Sequence, residues 1–240
     1  MKAVILAAGV SRRLYPHTYD TPKCLLDVSG KPIIHYQLEA LEALCIYDIT
    51  MIIGYLRETL MDHVTSSFPH LNFTFLINHH YFETNTAYSL YIARKALCSD
   101  SQVLMNADVI YPIDLLRQVV NSPFENVLAV DVKPCGREEV KVIEGGEKKI
   151  VDIGKDLIEA QCLGEFIGVA KLSHSFTGML AKSLEKLITA GGKNDYFEAG
   201  IQPLLDKMDV HFIDISEYPC LEIDFIEDLE SARKLFKKDL

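Results

Sequence analysis

Short apolar runs alternate with segments of helical spacing through the first half of the chain. Residues 2–7 form a β-branched apolar run that reads as a buried strand. Pro32 opens a helix on which Ile34, Leu38, Leu41 and Cys45 recur at helical spacing. Ile49–Gly54 is the next predicted strand, Arg57–Thr65 a helix and Phe73–Ile77 a third strand. Asn85–Leu97 reads as a helix with Tyr88, Tyr91 and Ile92 toward the core. Val103–Met105 is a short buried strand ending at Asn106-Ala107-Asp108. This βαβαβαβ order predicts an α/β fold with a mainly parallel sheet and helices on both faces.

The pattern changes after Asn126. Val127–Val132, Glu139–Glu144 and Lys148–Ile153 read as strands, with Gly145-Gly146 as the hairpin turn between the last two. Leu163–Leu172 is another strand. A helix from about Ser175 to Thr189 stops at Gly191-Gly192, which suits a left-handed C-cap. Asn194–Leu205 is predicted helical, Val210–Ile215 a strand, Glu222–Asp224 a short strand end and Ile226–Lys237 the closing helix. With no internal repeat or linker, the expectation is one domain over 1–240. Its half 126–240 would add a small β-rich region to the sheet begun in 1–125.

Length and composition sharpen this. A chain of 240 residues with 49% hydrophobic and 24% charged residues suits a globular domain with a sizeable core. A formal net charge of -10 argues against a general nucleic-acid or anionic-membrane surface, so any polyanionic ligand needs a local positive cluster. Six cysteines, none in a C-x-x-C pair, predict reduced structural thiols in a cytoplasmic setting. The apolar run after Lys2 is too short for a signal peptide, and no apolar stretch is long enough to span a bilayer.

The start of the chain carries the clearest chemistry. Ala7, Ala8 and Gly9 follow a buried strand and leave bare backbone N–H groups, and Gly9 is free to take a positive φ. Arg13 offers a planar fork and Lys23 a point charge for phosphate oxygens, whereas Arg12 reads as a solvated arginine. The spacing matches neither a Walker A loop nor Gly-x-Gly-x-x-Gly. Asp108 and Asp224 end strands and are the best candidates to bind Mg²⁺. Each also has a purely structural reading: Asp108 as a turn residue before Pro112, and Asp224 as a helix N-cap with Glu227 three residues on. The adjacent His79 and His80 read as loop residues.

Leu6-Ala7-Ala8-Gly9-x-x-x-Arg13-Leu14 with Pro22-Lys23 resembles the signature of the sugar-nucleotidyltransferase superfamily. Asn106-Ala107-Asp108 resembles its metal-binding strand end, and Glu222-Ile223-Asp224-Phe225-Ile226-Glu227-Asp228-Leu229 the closing segment of its cytidylyltransferase branch. Asn78-x-x-Tyr81-x-x-Thr84-Asn85-x-x-Tyr88-Ser89-Leu90 is similar to a block in phosphocholine, inositol-phosphate and phosphonate cytidylyltransferases, as is Gly164-Glu165-Phe166-Ile167-Gly168. One departure is Ser11, where many members carry a second glycine.

The resemblance implies a Rossmann-like nucleotidyltransferase fold that moves CMP from CTP to a phosphorylated small alcohol or phosphonate. It uses Mg²⁺ and releases pyrophosphate. Residues 1–125 would then be the nucleotide-binding half and 126–240 the acceptor-binding half. Leu6, Ala8, Gly9, Ser11, Asn85 and Ser89 are expected at the nucleotide, Arg13 and Lys23 on the triphosphate, and Asp108 and Asp224 on the metal. Lys141 and Lys155 are expected on the acceptor phosphate. Glu165 and Asp195, with Tyr196 and Phe197, are candidates to hold a cationic head such as choline or an aminoethyl group by ion pairing and cation–π attraction. A polyol acceptor stays open, as does self-association into a homodimer. The implied chemistry needs no general base. The alternatives are a hexose-1-phosphate nucleotidyltransferase using UTP or dTTP, and a non-catalytic nucleotide sensor of the same fold.

Overall fold

In the computed structural model, which describes residues 1–237, the order of elements follows the apolar pattern. Strand β1 (Lys2–Ala7) leads through two single-turn helices, Arg12–Leu14 and Lys23–Leu25, to a small ribbon of β2 (Asp27–Val28) and β3 (Lys31–Pro32). Then come α1 (Ile33–Ala43), β4 (Asp48–Ile53), α2 (Arg57–Ser67), β5 (Asn72–Ile77), α3 (Thr86–Ile92), α4 (Arg94–Leu97) and β6 (Gln102–Asn106). β7 (Val109–Ile110), α5 (Ile113–Val120), β8 (Val127–Asp131), β9 (Lys141–Glu144), β10 (Ile150–Gly154) and β11 (Gly164–Leu172) follow. The chain closes with α6 (His174–Thr189), α7 (Glu198–Ile201), β12 (His211–Asp214), β13 (Leu221–Glu222) and α8 (Ile226–Leu235).

One twisted sheet runs in the order β10-β9-β11-β6-β1-β4-β5, with β8 pairing β11 and β12. β6, β1, β4 and β5 are mutually parallel, so the carboxyl ends of β1 and β6 lie on one edge. β11 joins antiparallel to β6, making the two halves of the chain one continuous sheet. Alternation along β1 sets the layers. Ala3 and Ile5 pack against α1 through Ile34, Leu38 and Leu41, while Val4 and Leu6 face Leu90, Leu180 and Leu184 on the other side. Each such buried aliphatic side chain contributes about 1.5–3 kcal/mol. A third cluster (Leu14, Val28, Ile33, Ile110, Ile223, Leu229) pins the β2–β3 ribbon, β7, β13 and α8 together. Among the described residues, no helix is long and apolar enough to cross a membrane.

Two predicted helices differ. The Asn85–Leu97 segment breaks at Ala93, and its buried residues are Ala87, Ser89, Leu90, Ala93 and Leu97, not Tyr88, Tyr91 and Ile92. The tyrosines stay half-buried because their ring faces carry cations, Lys193 over Tyr88 and Arg94 over Tyr91. Within Asn194–Leu205 only Glu198–Ile201 is α-helical. The residues before it dock onto the start of α3: the Ala87 N–H donates to the Asp195 carbonyl, and the Phe197 N–H donates to Thr86 Oγ1.

Candidate active site

A cleft of about 570 Å³ opens over the carboxyl ends of β1 and β6. Leu6, Ala8, Gly9 and Ser11 line it, and a Cβ built on Gly9 would meet nothing within 4 Å. The left-handed turn falls on Ser11 (φ 54°), not on Gly9, and the Ser11 carbonyl accepts from Thr18 Oγ1 at 2.9 Å. Leu14 is fully buried and anchors the following turn, which leaves Arg13 half-exposed at the rim. Arg12 also faces outward and lies over the Phe82 ring.

Distant parts of the chain meet beneath this turn. Gln37 of α1 is buried and donates to the carbonyls of Asn106 and Val109, both at 2.8 Å, fixing the turn that carries Asp108. β13 pairs antiparallel with β7, and the Ile223 N–H donates to the Asp108 carbonyl at 3.0 Å. Asp108, Glu222 and Asp224 thereby place carboxylate oxygens within 4.8 Å of one another. Lys23 Nζ donates to Asp108 Oδ2 at 2.9 Å and to Asp224 Oδ1 at 2.7 Å. Arg13 Nη2 donates to Asp224 Oδ2 at 2.7 Å, and its guanidinium lies 4.8 Å from the Phe225 ring centroid. The structural alternative for Asp224 is not realised, because Asp228 Oδ2 accepts from the Asp224 and Phe225 N–H groups at the start of α8. Asp108 does sit in a turn, with its side chain on the cleft.

The electrostatics follow from this crowding. Burial opposes the Lys23 charge, but Asp108 and Asp224 outweigh it and hold the ammonium above its ordinary range. Burial alone would raise the Asp224 carboxyl; Lys23 and then Arg13 pull it below the usual range. Glu222 has no cation of its own. Glu222 is exposed on the cleft wall, yet the loss of surrounding water, and then the charges of Asp108 and Asp224, push its carboxyl up to about 8. Asp108 Oδ1 and Asn106 Oδ1 are buried without a partner. Three converging carboxylates within 4.8 Å of one another, one with an orphan oxygen, fit a hard divalent cation.

The deeper wall carries Asn85, Ser89, Lys155, Glu165, Tyr196 and Glu198. Asn85 Oδ1 accepts from the Thr86 N–H, and Ser89 Oγ accepts from Asn78 Nδ2. Lys133 bridges Asp131 at 2.9 Å and Glu165 at 2.8 Å; burial raises the Glu165 carboxyl against that pull. Lys155 Nζ lies 4.1 Å from the Tyr196 ring centroid.

Two expected acceptor residues are corrected. Lys141 does not line the cleft. Its side chain is buried and Nζ donates to the carbonyls of Arg137, Glu139 and Lys155 at 3.2, 3.3 and 2.6 Å. Asp195 is exposed outside the cleft, and its carbonyl serves α3. Phe197 is fully buried, edge-on to Phe166. Sequence reasoning passed over Glu222, Lys133 and Glu198. Glu222 carried a signal: it stands two residues before Asp224, with buried Ile223 between them, so both acids share a strand face.

A glycine-turn cleft at the carboxyl edge of a parallel sheet, floored by paired carboxylates and cations, defines a nucleotide-handling transferase site. The chain belongs to the nucleotidyl transferase family, whose model matches residues 2–130. It is 30% identical over 257 aligned residues to the CTP:phosphoglutamine cytidylyltransferase of Campylobacter jejuni, covering 96% of this chain and 98% of that protein. It is 28% identical to the choline-phosphate cytidylyltransferase of Streptococcus pneumoniae over the full length of both. The solved structure of the CTP:phosphocholine cytidylyltransferase LicC from S. pneumoniae matches with a TM-score of 0.82 and 26% identity, covering 98% of this chain and 99% of that one. The inositol-1-phosphate CTP transferase of T. maritima shares the fold, with a TM-score of 0.77 and 21% identity over 99% of this chain and 98% of that one.

Proposed function

We propose that this chain is a Mg²⁺-dependent cytidylyltransferase that moves CMP from CTP to a phosphorylated small alcohol or phosphonate and releases pyrophosphate. The observation that carries the reading is the linked set Arg13–Asp224–Lys23–Asp108 beneath the open space at Gly9. It joins phosphate-binding cations to metal-binding acids at one point. The family assignment supports the reaction type. The named acceptors of similar proteins, phosphoglutamine, choline phosphate and an aminopropylphosphonate, support a small nitrogen-bearing acceptor.

On this reading Leu6, Ala8, Gly9, Ser11, Asn85 and Ser89 surround the nucleoside, and residues 1–125 form the nucleotide half. Arg13 and Lys23 balance charge on the triphosphate as pyrophosphate departs. Asp108, Glu222 and Asp224 would hold the divalent cation. When bound, that cation supplies charge neutralisation at the polyphosphate. The acceptor phosphate has its second pKa near ~6 and arrives as a dianion, so no side chain need remove a proton. One of its oxygens bonds to the α-phosphorus in line with the bond to the leaving oxygen. That bond breaks, and pyrophosphate carries away the electron pair. Lys155 meets the acceptor phosphate from the half 126–240 and offsets repulsion between the two anionic reactants. Catalysis is positioning plus fixed charge.

The test is pyrophosphate release from CTP, UTP, dTTP, ATP and GTP, each with a set of phosphorylated acceptors. Release with CTP and an amino-alcohol phosphate or phosphonate is expected. Turnover of UTP or dTTP with glucose 1-phosphate, and none with CTP, would replace this reading with the hexose-1-phosphate one.

A further inference from the structure

The cleft wall opposite the acid cluster contains a carboxylate with no assigned partner. Glu198 is the first residue of α7 and is only 4% exposed, yet it lines the cleft. Its Oε2 is buried and accepts no hydrogen bond. An unpaired buried carboxylate oxygen is costly to maintain unless a ligand completes it. Burial raises this carboxyl to about 7 even though the charge of Lys155 opposes the rise. The Lys155 ammonium rests on the Tyr196 ring, and among the described residues no ion pair joins it to Glu198.

The aromatic residues of the same cleft argue about the ligand's head group. A quaternary ammonium has no N–H and is held by open aromatic faces. Four aromatic residues line the cleft: Tyr81, Phe166, Tyr196 and Phe225. Tyr196 and Phe225 keep exposed surface, but each already carries a cation on one face, Lys155 on Tyr196 and Arg13 on Phe225. Phe166 is 3% exposed, and Tyr81 packs at the nucleotide end, where a Cβ on Gly54 would touch it at 2.8 Å. What the space beside Glu198 offers is an oxygen waiting for a donor.

We propose that Glu198 determines acceptor specificity: its Oε2 takes a hydrogen bond from an N–H-bearing head group, so the chain prefers primary-amine phosphates and phosphonates over quaternary-ammonium ones. This deepens, and rests on, the cytidylyltransferase reading. Glu165 does not fill the role, because Lys133 already neutralises it.

The experiment compares phosphoethanolamine, 2-aminoethylphosphonate, phosphocholine and inositol phosphate as acceptors in CTP-dependent pyrophosphate release, with the wild type and Glu198→Gln. In the wild type, kcat/KM for the two primary amines is expected to exceed that for phosphocholine and inositol phosphate by about tenfold or more, the scale of one charge-assisted hydrogen bond. Glu198→Gln should raise KM for the primary amines by about ten- to a hundred-fold. It should leave the KM for CTP in place and shrink the preference for the primary amines over phosphocholine. Equal or better use of phosphocholine or inositol phosphate by the wild type overturns the proposal, as does a Glu198→Gln variant that weakens every acceptor alike. The wild-type comparison stands whether or not the variant folds. Absence of CTP-dependent release with every acceptor overturns the underlying reading, and this proposal with it.

Discussion

Replacing Lys23 with methionine removes the ammonium that two carboxylates share and leaves the volume nearly unchanged. Lys23 is 10% exposed and makes contacts of 2.9 and 2.7 Å, while Asp108 and Asp224 are 27% and 29% exposed. Breaking a fully buried pair from one side costs about 3–5 kcal/mol; because both aspartates keep some water, about 2–3 kcal/mol is expected here. For a domain of this size that is a fall in Tm of about 4–12 °C. The loss depends on pH. Asp224 has a folded-state pKa below its ordinary value, so its stabilisation is present above that ordinary value and disappears as pH falls through the lower folded one. Without Lys23, crowding among the three acids adds a penalty that protonation relieves. The gap between wild type and variant should be full at about pH 7 and close below about pH 4. Thermal unfolding followed by circular dichroism across that range measures it. An unchanged Tm at neutral pH, or a gap that stays constant into acid, would refute the reasoning. Pyrophosphate release should fall by about 10²–10³-fold, the usual cost of removing one fixed charge from a developing oxyanion.

Asp108→Asn should lower turnover by at least about 10²-fold while unfolding at a temperature close to that of the wild type; activity within threefold would remove Asp108 from the site. Lys141→Met strips one ammonium from three carbonyls, so urea unfolding should show a loss of about 1.5–3 kcal/mol. In the same variant KM should rise for the acceptor and not for CTP, because those carbonyls belong to the loop and strand end that the proposed reading gives to the acceptor. Gly168→Ala drives a methyl group into Asn106 Nδ2 at a φ of +75°, and should cost more than about 1 kcal/mol and disturb the strand end before Asp108. Glu198 has a folded pKa raised to about 7, so its ionisation costs stability increasingly as pH rises from its ordinary range toward that value. Glu198→Gln should therefore match or exceed the wild-type Tm at about pH 8, measured without ligand.

Local features were the legible ones. The buried run before Gly9, the rim position of Arg13 and the strand end at Asp108 all follow from a strand entering a turn, which a short window of sequence determines. The union of Asp224 with Asp108 depends on contacts far beyond a short window of sequence. The structure provides it through β13–β7 pairing and Gln37, neither of which a periodicity reveals. Lys141 misled because its expected place on the acceptor phosphate came from the family resemblance and not from anything its neighbours in sequence determine. Here the loop 137–139 and Lys155 fold over it, and long-range packing decides where the charge goes. Asp195 misled for a similar reason: the backbone around it is used to dock onto α3, which turns its side chain out of the cleft. Glu198 was hidden by its neighbours. Between Phe197 and Ala199 it looked like an ordinary helix acid, and its orphan oxygen shows only in three dimensions.

The proposed activity requires one cleft to bind cytidine triphosphate with a divalent cation held by acids from two distant strand ends. Calorimetric titration of CTP with Mg²⁺ into the wild type, Asp108→Asn and Asp224→Asn tests this most directly. Tight Mg²⁺-dependent binding to the wild type, weakened in both variants and absent when UTP or dTTP replaces CTP, is the predicted result. Equal binding to all three proteins, or a preference for dTTP, would contradict it.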